Sequence, residues 1–116
     1  MVLRGYNMKR EFISTWKFDN QWQSAGLTEI DCLALERLLL DNPQAGDVIP
    51  GLSGGRKVRF ALDKHGKRGG IRVIYIDVVI REKIYLLLAY PKSVQTDMTP
   101  EEKNLLNAII LAIKEE

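Results

Sequence analysis

The chain has 116 residues, 46% of them hydrophobic and 28% charged, with a formal net charge of +2 and a single cysteine. That length allows one domain with one core, and the composition is that of an ordinary soluble globular protein. No apolar run is long enough to span a bilayer, the first residues lack the continuous apolar stretch of a signal peptide, and Cys32 alone makes neither an internal disulfide nor a cysteine-based zinc site, so the expectation is a cytoplasmic single domain over residues 1–116 with no membrane partner.

Residues 1–10 are polar and irregular and read as a flexible arm. Phe12, Ser14, Trp16 and Phe18 alternate, which predicts a short strand over 11–18. Residues 19–26 are polar apart from Trp22 and read as a turn or short helix. Thr28 has the character of an N-cap, and Ile30, Leu33, Leu35, Leu38 and Leu39 give a helical stripe to about Leu40. Pro43 ends that helix by disfavouring α geometry at Asn42. Cys32 lies on this helix and reads as a small buried residue; nothing cationic nearby would activate it.

Residues 47–55, with Pro50, Gly51, Gly54 and Gly55, read as loop. Arg56–Leu62 alternates cleanly, with Val58, Phe60 and Leu62 facing one way and Lys57 and Arg59 the other. A glycine-rich basic hairpin connection follows over 63–70. Ile71–Ile80 and Lys83–Pro91 are long apolar strands joined by a tight turn at Arg81-Glu82. Their near-continuous apolar character predicts central strands covered on at least part of both faces. Tyr90 and Lys92 share the parity of Ile84, Leu86 and Leu88. Thr99-Pro100-Glu101-Glu102 starts the last helix: Thr99 caps, Pro100 suits the first helical position and Glu102 completes a capping box. Leu105, Leu106, Ile109, Ile110 and Ile113 form its apolar stripe. The order β-α-β-β-β-α predicts an α+β domain, a small, mainly antiparallel sheet with helices packed on one face and the other face left for function.

Charge is concentrated in the middle of the chain. Residues 51–92 hold ten basic and three acidic residues, a net of +7, against −2 for 1–50 and −3 for 93–116. Such an asymmetry points to a polyanionic partner. Motifs for other chemistry are missing. The lone His65 sits in a hairpin loop and reads as solvated. No cluster has metal-ligand spacing, and Gly-Leu-Ser-Gly-Gly-Arg-Lys is not a P-loop, because a strand follows it. No cofactor is expected. What remains is a set of Arg, Lys and Tyr. In an antiparallel meander Arg72 and Lys92 converge at one sheet end. Arg there can hold a phosphate and stabilise the extra charge of a pentavalent transition state, and Lys or Tyr can move a proton. The same residues also read as sheet-edge charges that prevent aggregation. Spacing alone does not separate the two readings.

Five pieces in series carry a resemblance: Asn42-Pro43-(x)2-Gly46-Asp47-Val48-Ile49-Pro50-Gly51, Gly55-Arg56-Lys57-Val58-Arg59-Phe60, Gly66-Lys67-(x)-Gly69-Gly70-Ile71-Arg72-Val73-Ile74-Tyr75, Ile84-Tyr85-Leu86-Leu87-Leu88-Ala89-Tyr90-Pro91-Lys92 and Asp97-Met98-Thr99-Pro100-Glu101-Glu102. In order and spacing they resemble RelE/HigB-type toxins of type II toxin–antitoxin modules, with the HigB-like branch nearest. The resemblance spans roughly Leu27 to Lys114.

It implies a RelE-like microbial RNase fold. It also implies a ribosome-dependent mRNA endonuclease (an mRNA interferase that inhibits translation) working without metal, through 2′-hydroxyl attack and a cyclic phosphate. The implied partners are the ribosome with its mRNA and a cognate antitoxin, a helix-turn-helix protein through which alone the toxin reaches operator DNA. Arg72 matches the family's strand arginine, a phosphate and transition-state contact. Lys92 falls where relatives place a basic residue after the last strand, and Tyr90 fits base stacking or proton transfer. Lys57 and Arg59 match the basic strand positions that hold RNA, and Arg56, Lys67 and Arg68 extend that RNA-binding set. The chain departs from some relatives in having no His or Tyr after Tyr90. The alternatives are an inactive relative that serves as antitoxin-binding co-repressor, and a general RNA-binding module.

Overall fold

The computed structural model describes residues 10–61 and 70–116. Lys67, Arg68 and His65, and all of the arm except Arg10, lie outside the described residues. Strand β1 (Glu11–Ser14) ends where Thr15 becomes a helix cap: its Oγ accepts from the Phe18 N–H at 3.0 Å and opens α1 (Trp16–Ser24). The strand expected over 11–18 is therefore a strand followed by a helix. Phe18 and Trp22 sit four apart on the buried side of α1, a spacing that suits a helix as well as Phe18's parity suited a strand.

Helix α2 (Glu29–Asp41) starts at Thr28, whose side chain and that of Asp31 bond reciprocally in a capping box, and it stops before Pro43 with Asn42 extended. Its buried side is Leu35, Leu39 and Leu40; Ile30 and Leu33 of the expected stripe are exposed. The described residues build a five-stranded sheet in the order β1-β5-β4-β3-β2. Strand β2 (Asp47–Val48) is a two-residue piece inside the segment expected as loop. β3 (Arg56–Phe60), β4 (Ile71–Val78) and β5 (Lys83–Pro91) form the expected antiparallel meander, and β1 adds to β5 in parallel. β4 stops two residues early because Val79–Arg81 coils into one 3-10 turn, closed by Glu82 at φ +54°.

Two cores flank the sheet. Val58, Phe60, Ile71, Val73, Tyr75, Ile84 and Leu86 pack with Phe18, Trp22, Leu35 and Leu39 of α1 and α2. Ile74, Ile76, Tyr85, Leu87, Leu88 and Tyr90 pack with Leu106, Ile110 and Ile113 of α3 (Pro100–Glu115). The helices thus lie on both faces, which corrects the expectation of one. The physical reason is in the strands: continuous apolar runs present large side chains on both faces, and each face needs a cover. The capping box of α3, Thr99 with Glu102 and Pro100 at the start, is as expected. No helix among the described residues is long and apolar enough to cross a membrane.

One irregularity decides which side chains share a face. Ile74 pairs with Leu88, yet the next residue, Tyr75, pairs with Leu86, so β5 carries one extra residue at Leu87. This β-bulge turns both Leu87 and Leu88 toward α3. It also separates Leu88 and Tyr90 from Ile84 and Leu86, which face the other core. The parity expected to run unbroken from Ile84 to Tyr90 is therefore broken. The extra residue's carbonyl is satisfied from outside the ladder: the Thr15 hydroxyl donates to Leu87 O at 2.8 Å. Two residues along, the Ala89 N–H donates to Gln21 Oε1 at 2.8 Å. Helix α1 thereby completes the hydrogen bonding of β5 where β1 has ended.

Arg10, at the end of the expected arm, is anchored. Its Nε donates to Asp77 Oδ1 at 2.7 Å and its Nη2 to Oδ2 at 3.2 Å, with both side chains about nine-tenths buried. This bidentate pair ties the entry of β1 to the far end of β4.

Candidate nucleic-acid interface

Strand register builds the candidate site. Arg59 on β3 pairs with Arg72 on β4, and Arg72 pairs in turn with Tyr90 on β5. The three make one row across the sheet, on the face that α3 partly covers. Exposure falls along it: Arg59 is exposed, Arg72 half-buried and Tyr90 buried. Lys57, opposite Ile74, is the next residue of β3 on the same face. Lys92 follows Pro91, which pairs with Ile71, so it emerges exposed at the same end of the sheet. Gly70 leads into β4 at φ +66°, and a Cβ there would run into the Phe60 carbonyl. Gly70, a position that only glycine fills without strain, thus leads the chain into β4 beside Phe60.

The structure brings Lys57, Arg59, Arg72 and Tyr90 onto one face, with Lys92 leaving β5 at the Arg72 end, but not Arg56. Arg56 pairs with Tyr75, on the other face, and its Nη1 donates to the Gly46 carbonyl at 2.7 Å. Tyr75 joins the same knot: its hydroxyl donates to Pro43 O at 2.8 Å and accepts from the Gly46 N–H at 3.0 Å. Arg56 therefore fastens the 43–46 loop to β3.

Tyr90 is 1% exposed, and its hydroxyl has no hydrogen-bond partner among the described residues. Burial pushes its phenol up to about 12, Asp97 and Glu102 add to the rise, and Arg72 opposes it. At neutral pH it is an uncharged phenol closed off from solvent, and so not a ready base; the base-stacking or proton-transfer role expected of it has no access to a ligand here.

Two acidic residues near the row, Asp97 and Glu102, are not among the site residues expected from the sequence. Glu102 accepts from the Thr99 N–H at 2.9 Å and from Gln95 Nε2 at 3.1 Å, and it pairs with Lys17 at 3.2 Å. Burial works to raise its pKa, but these donors outweigh it and hold the carboxyl below its usual range. Asp97 lies 4.0 Å from Lys57 Nζ. The Gln95 amide donates to its carbonyl at 2.9 Å, and its own Oδ1 takes the Met98 N–H at 2.8 Å. The segment between β5 and α3 thus sets Asp97 beside Lys57, and the first turn of α3 brings Glu102 near Tyr90. The capping box at Thr99 was readable from the chain; that it sits over β3 and β5 depends on the tertiary fold.

Chemically, the row is a set of donors graded from solvent to core that can take an anion. Like charges opposed across two strands are unfavourable. A phosphate held between two guanidiniums reverses the sign of that term and suits their planar donor geometry.

Comparison with known proteins supports the architecture. No family model matches the chain. Among solved structures, it is similar to a mutant of E. coli toxin RelE in the free state, with TM-score 0.54 and 15% identity, over 77% of this chain and 90% of that one. The intact E. coli RelBE toxin–antitoxin complex also matches, at TM-score 0.47 and 14% identity, over 68% of this chain and 92% of the other, and adds nothing to the assignment. The chain has a RelE-like α+β fold.

Proposed function

We propose that this chain is the toxin of a type II toxin–antitoxin module, a ribosome-dependent, metal-independent mRNA endonuclease of the RelE/HigB type, HigB-like in branch and acting in the cytoplasm. A cognate antitoxin of helix-turn-helix type neutralises it and carries the pair to operator DNA. The observation that supports this best is Arg72, half-buried between Arg59 and Tyr90 at the open end of a RelE-like sheet. The serial sequence resemblance from Leu27 to Lys114 points the same way.

In this reading the RNA supplies its own nucleophile. The 2′-hydroxyl oxygen attacks the adjacent phosphorus and gives up its proton to solvent water, the bond to the 5′-oxygen breaks, and a 2′,3′-cyclic phosphate forms. Arg72 and Arg59 bind the non-bridging oxygens as charge builds on them. Lys57 holds the backbone beside them. Lys92, at the strand exit, gives a proton to the departing 5′-oxygen. Tyr90, expected to stack on a base or move a proton, is sealed in the core and lies beside Arg72 within the sheet, without reach to the RNA. Lys67 and Arg68 belong by sequence to the same RNA-binding set.

The test is induced expression with mapped cleavage. The chain alone arrests growth and cuts mRNA on translating ribosomes, and the Arg72→Ala chain does neither. A second reading, a non-catalytic relative that binds the antitoxin for transcriptional control, is favoured by one observation: the Tyr90 phenol is sealed in the core, far from a base's pKa. Folded protein without growth arrest would select that reading.

A further inference from the structure

The side of the sheet away from the cationic row has a feature that the RNA chemistry does not use. Helices α1 and α2 leave between them a cleft of about 660 Å³. Phe18, Trp22 and Leu27 form its apolar floor, and Asp19, Glu29 and Glu36 stand around it; among the described residues no Lys or Arg lines it. The apolar surface continues outward along α2, through Leu33 at 47% exposure and Ile30 at 72%. Cys32, in the cleft wall, registers the local field. Burial first, then Glu36, Asp19 and Glu29, push its thiol up to about 12, so it is inert as a nucleophile and marks where three carboxylates converge.

Volume, lining and charge together select the occupant. The space is that of a site for one or two large side chains. The continuing apolar strip suits an extended polypeptide better than a small cation. The carboxylate rim favours Lys or Arg and repels nucleic acid. We propose that the α1–α2 cleft docks a protein segment in which Lys or Arg residues flank one or two large apolar side chains, and that, on the toxin reading above, the antitoxin supplies this segment. Seated there, it anchors the partner on the face opposite Arg72 and leaves the cationic row uncovered, so blocking RNA falls to another part of the partner.

Two measurements test this. First, a synthetic amphipathic Lys/Leu peptide is titrated into the purified chain by calorimetry and amide NMR, with a Glu/Leu peptide of the same pattern as control. Expected are shifts clustered over residues 18–36, no binding of the acidic peptide, and binding about tenfold weaker in the Glu29→Gln/Glu36→Gln chain. Equal affinity in that variant, or shifts centred on Arg59 and Arg72, overturns the cleft as the site. The Gln pair removes charge without reversing it, and circular dichroism checks its fold. Second, the antitoxin that suppresses the chain's growth arrest is titrated into the same two proteins. A similar loss of affinity supports the assignment, and unchanged affinity overturns the antitoxin as occupant. Absence of arrest from the unaltered chain counts against the toxin reading, whereas the peptide measurement judges the cleft by itself.

Discussion

Arg59 and Arg72 stand directly opposite each other on β3 and β4, two guanidiniums at a cross-strand position where sheets ordinarily match opposite charges or apolar groups. The pair stands at the open end of a face whose remainder α3 buries. On the proposed function, it meets an RNA phosphate whose oxygens the two forks share.

Replacing Arg72 separates function from fold. Arg72→Ala removes the central member of the row without opening a cavity, because the residue is only half-buried. Stability measured by urea unfolding stays within about 0.5 kcal/mol of the original, while growth arrest and ribosome-dependent cleavage disappear. A fully toxic Arg72→Ala chain would place the active site elsewhere.

Lys57 and Arg59 act through the phosphate backbone, so their removal reads out in salt. In ribosome-free binding to single-stranded RNA, Lys57→Ala and Arg59→Ala each make the slope of log affinity against log salt shallower by about 0.7. Arg56→Ala leaves that slope unchanged, since its guanidinium is committed to the Gly46 carbonyl on the other face. Parallel slopes for all three would contradict the division of faces.

Tyr90 contributes, with Cys32 and Tyr75, to a loss of stability at alkaline pH. Its pKa is raised from the ordinary 10 to about 12 in the folded chain. A raised folded-state value means that Tyr90 contributes fully to stability below pH 10 and loses that contribution as pH rises toward 12. The denaturant midpoint therefore falls between those limits, and Tyr90→Phe flattens the fall. At neutral pH the same variant is as stable or gains about 1 kcal/mol, because a buried hydroxyl without a partner is removed. A clear loss of stability at neutral pH would mean the hydroxyl is satisfied.

Asp77 neutralises a buried guanidinium. Asp77→Ala leaves Arg10 in place without its carboxylate and costs about 3–5 kcal/mol in chemical unfolding, whereas Arg10→Met with Asp77→Leu recovers most of the loss. If the single and double variants unfold alike, the ion pair is not what holds β1 to β4.

The parts of the fold set by local chemistry were readable in the chain. Thr28 and Thr99 announce their helices through capping boxes, Pro43 ends one, and β5 runs from Lys83 to Pro91 as expected. Thr15 was missed because Phe12, Ser14, Trp16 and Phe18 satisfy a strand's alternation and a helix's four-residue spacing equally well at Phe18. The bulge was illegible for a different reason: residues 84–90 are all apolar, so no polar residue marks which face each side chain takes. The gathering of Lys57, Arg59 and Arg72 on one face, with Lys92 at the Arg72 end, followed from meander topology. Tyr90's burial and the arrival of Asp97 beside Lys57 depend on where α3 settles, which no local pattern encodes.

The extra residue in β5 makes the site a matter of counting as much as of chemistry. Were β5 to pair with β4 without its bulge, Leu87 would meet Ile74, Ala89 would meet Arg72, and Tyr90 would rotate to the side of α1 and α2. The same letters would then spell an arginine beside an alanine. Two registers one residue apart are close competitors in a strand of near-uniform apolar character. What tells them apart is the Thr15 hydroxyl on the Leu87 carbonyl, a vernier mark on the far side of the sheet that keeps the ruler from slipping.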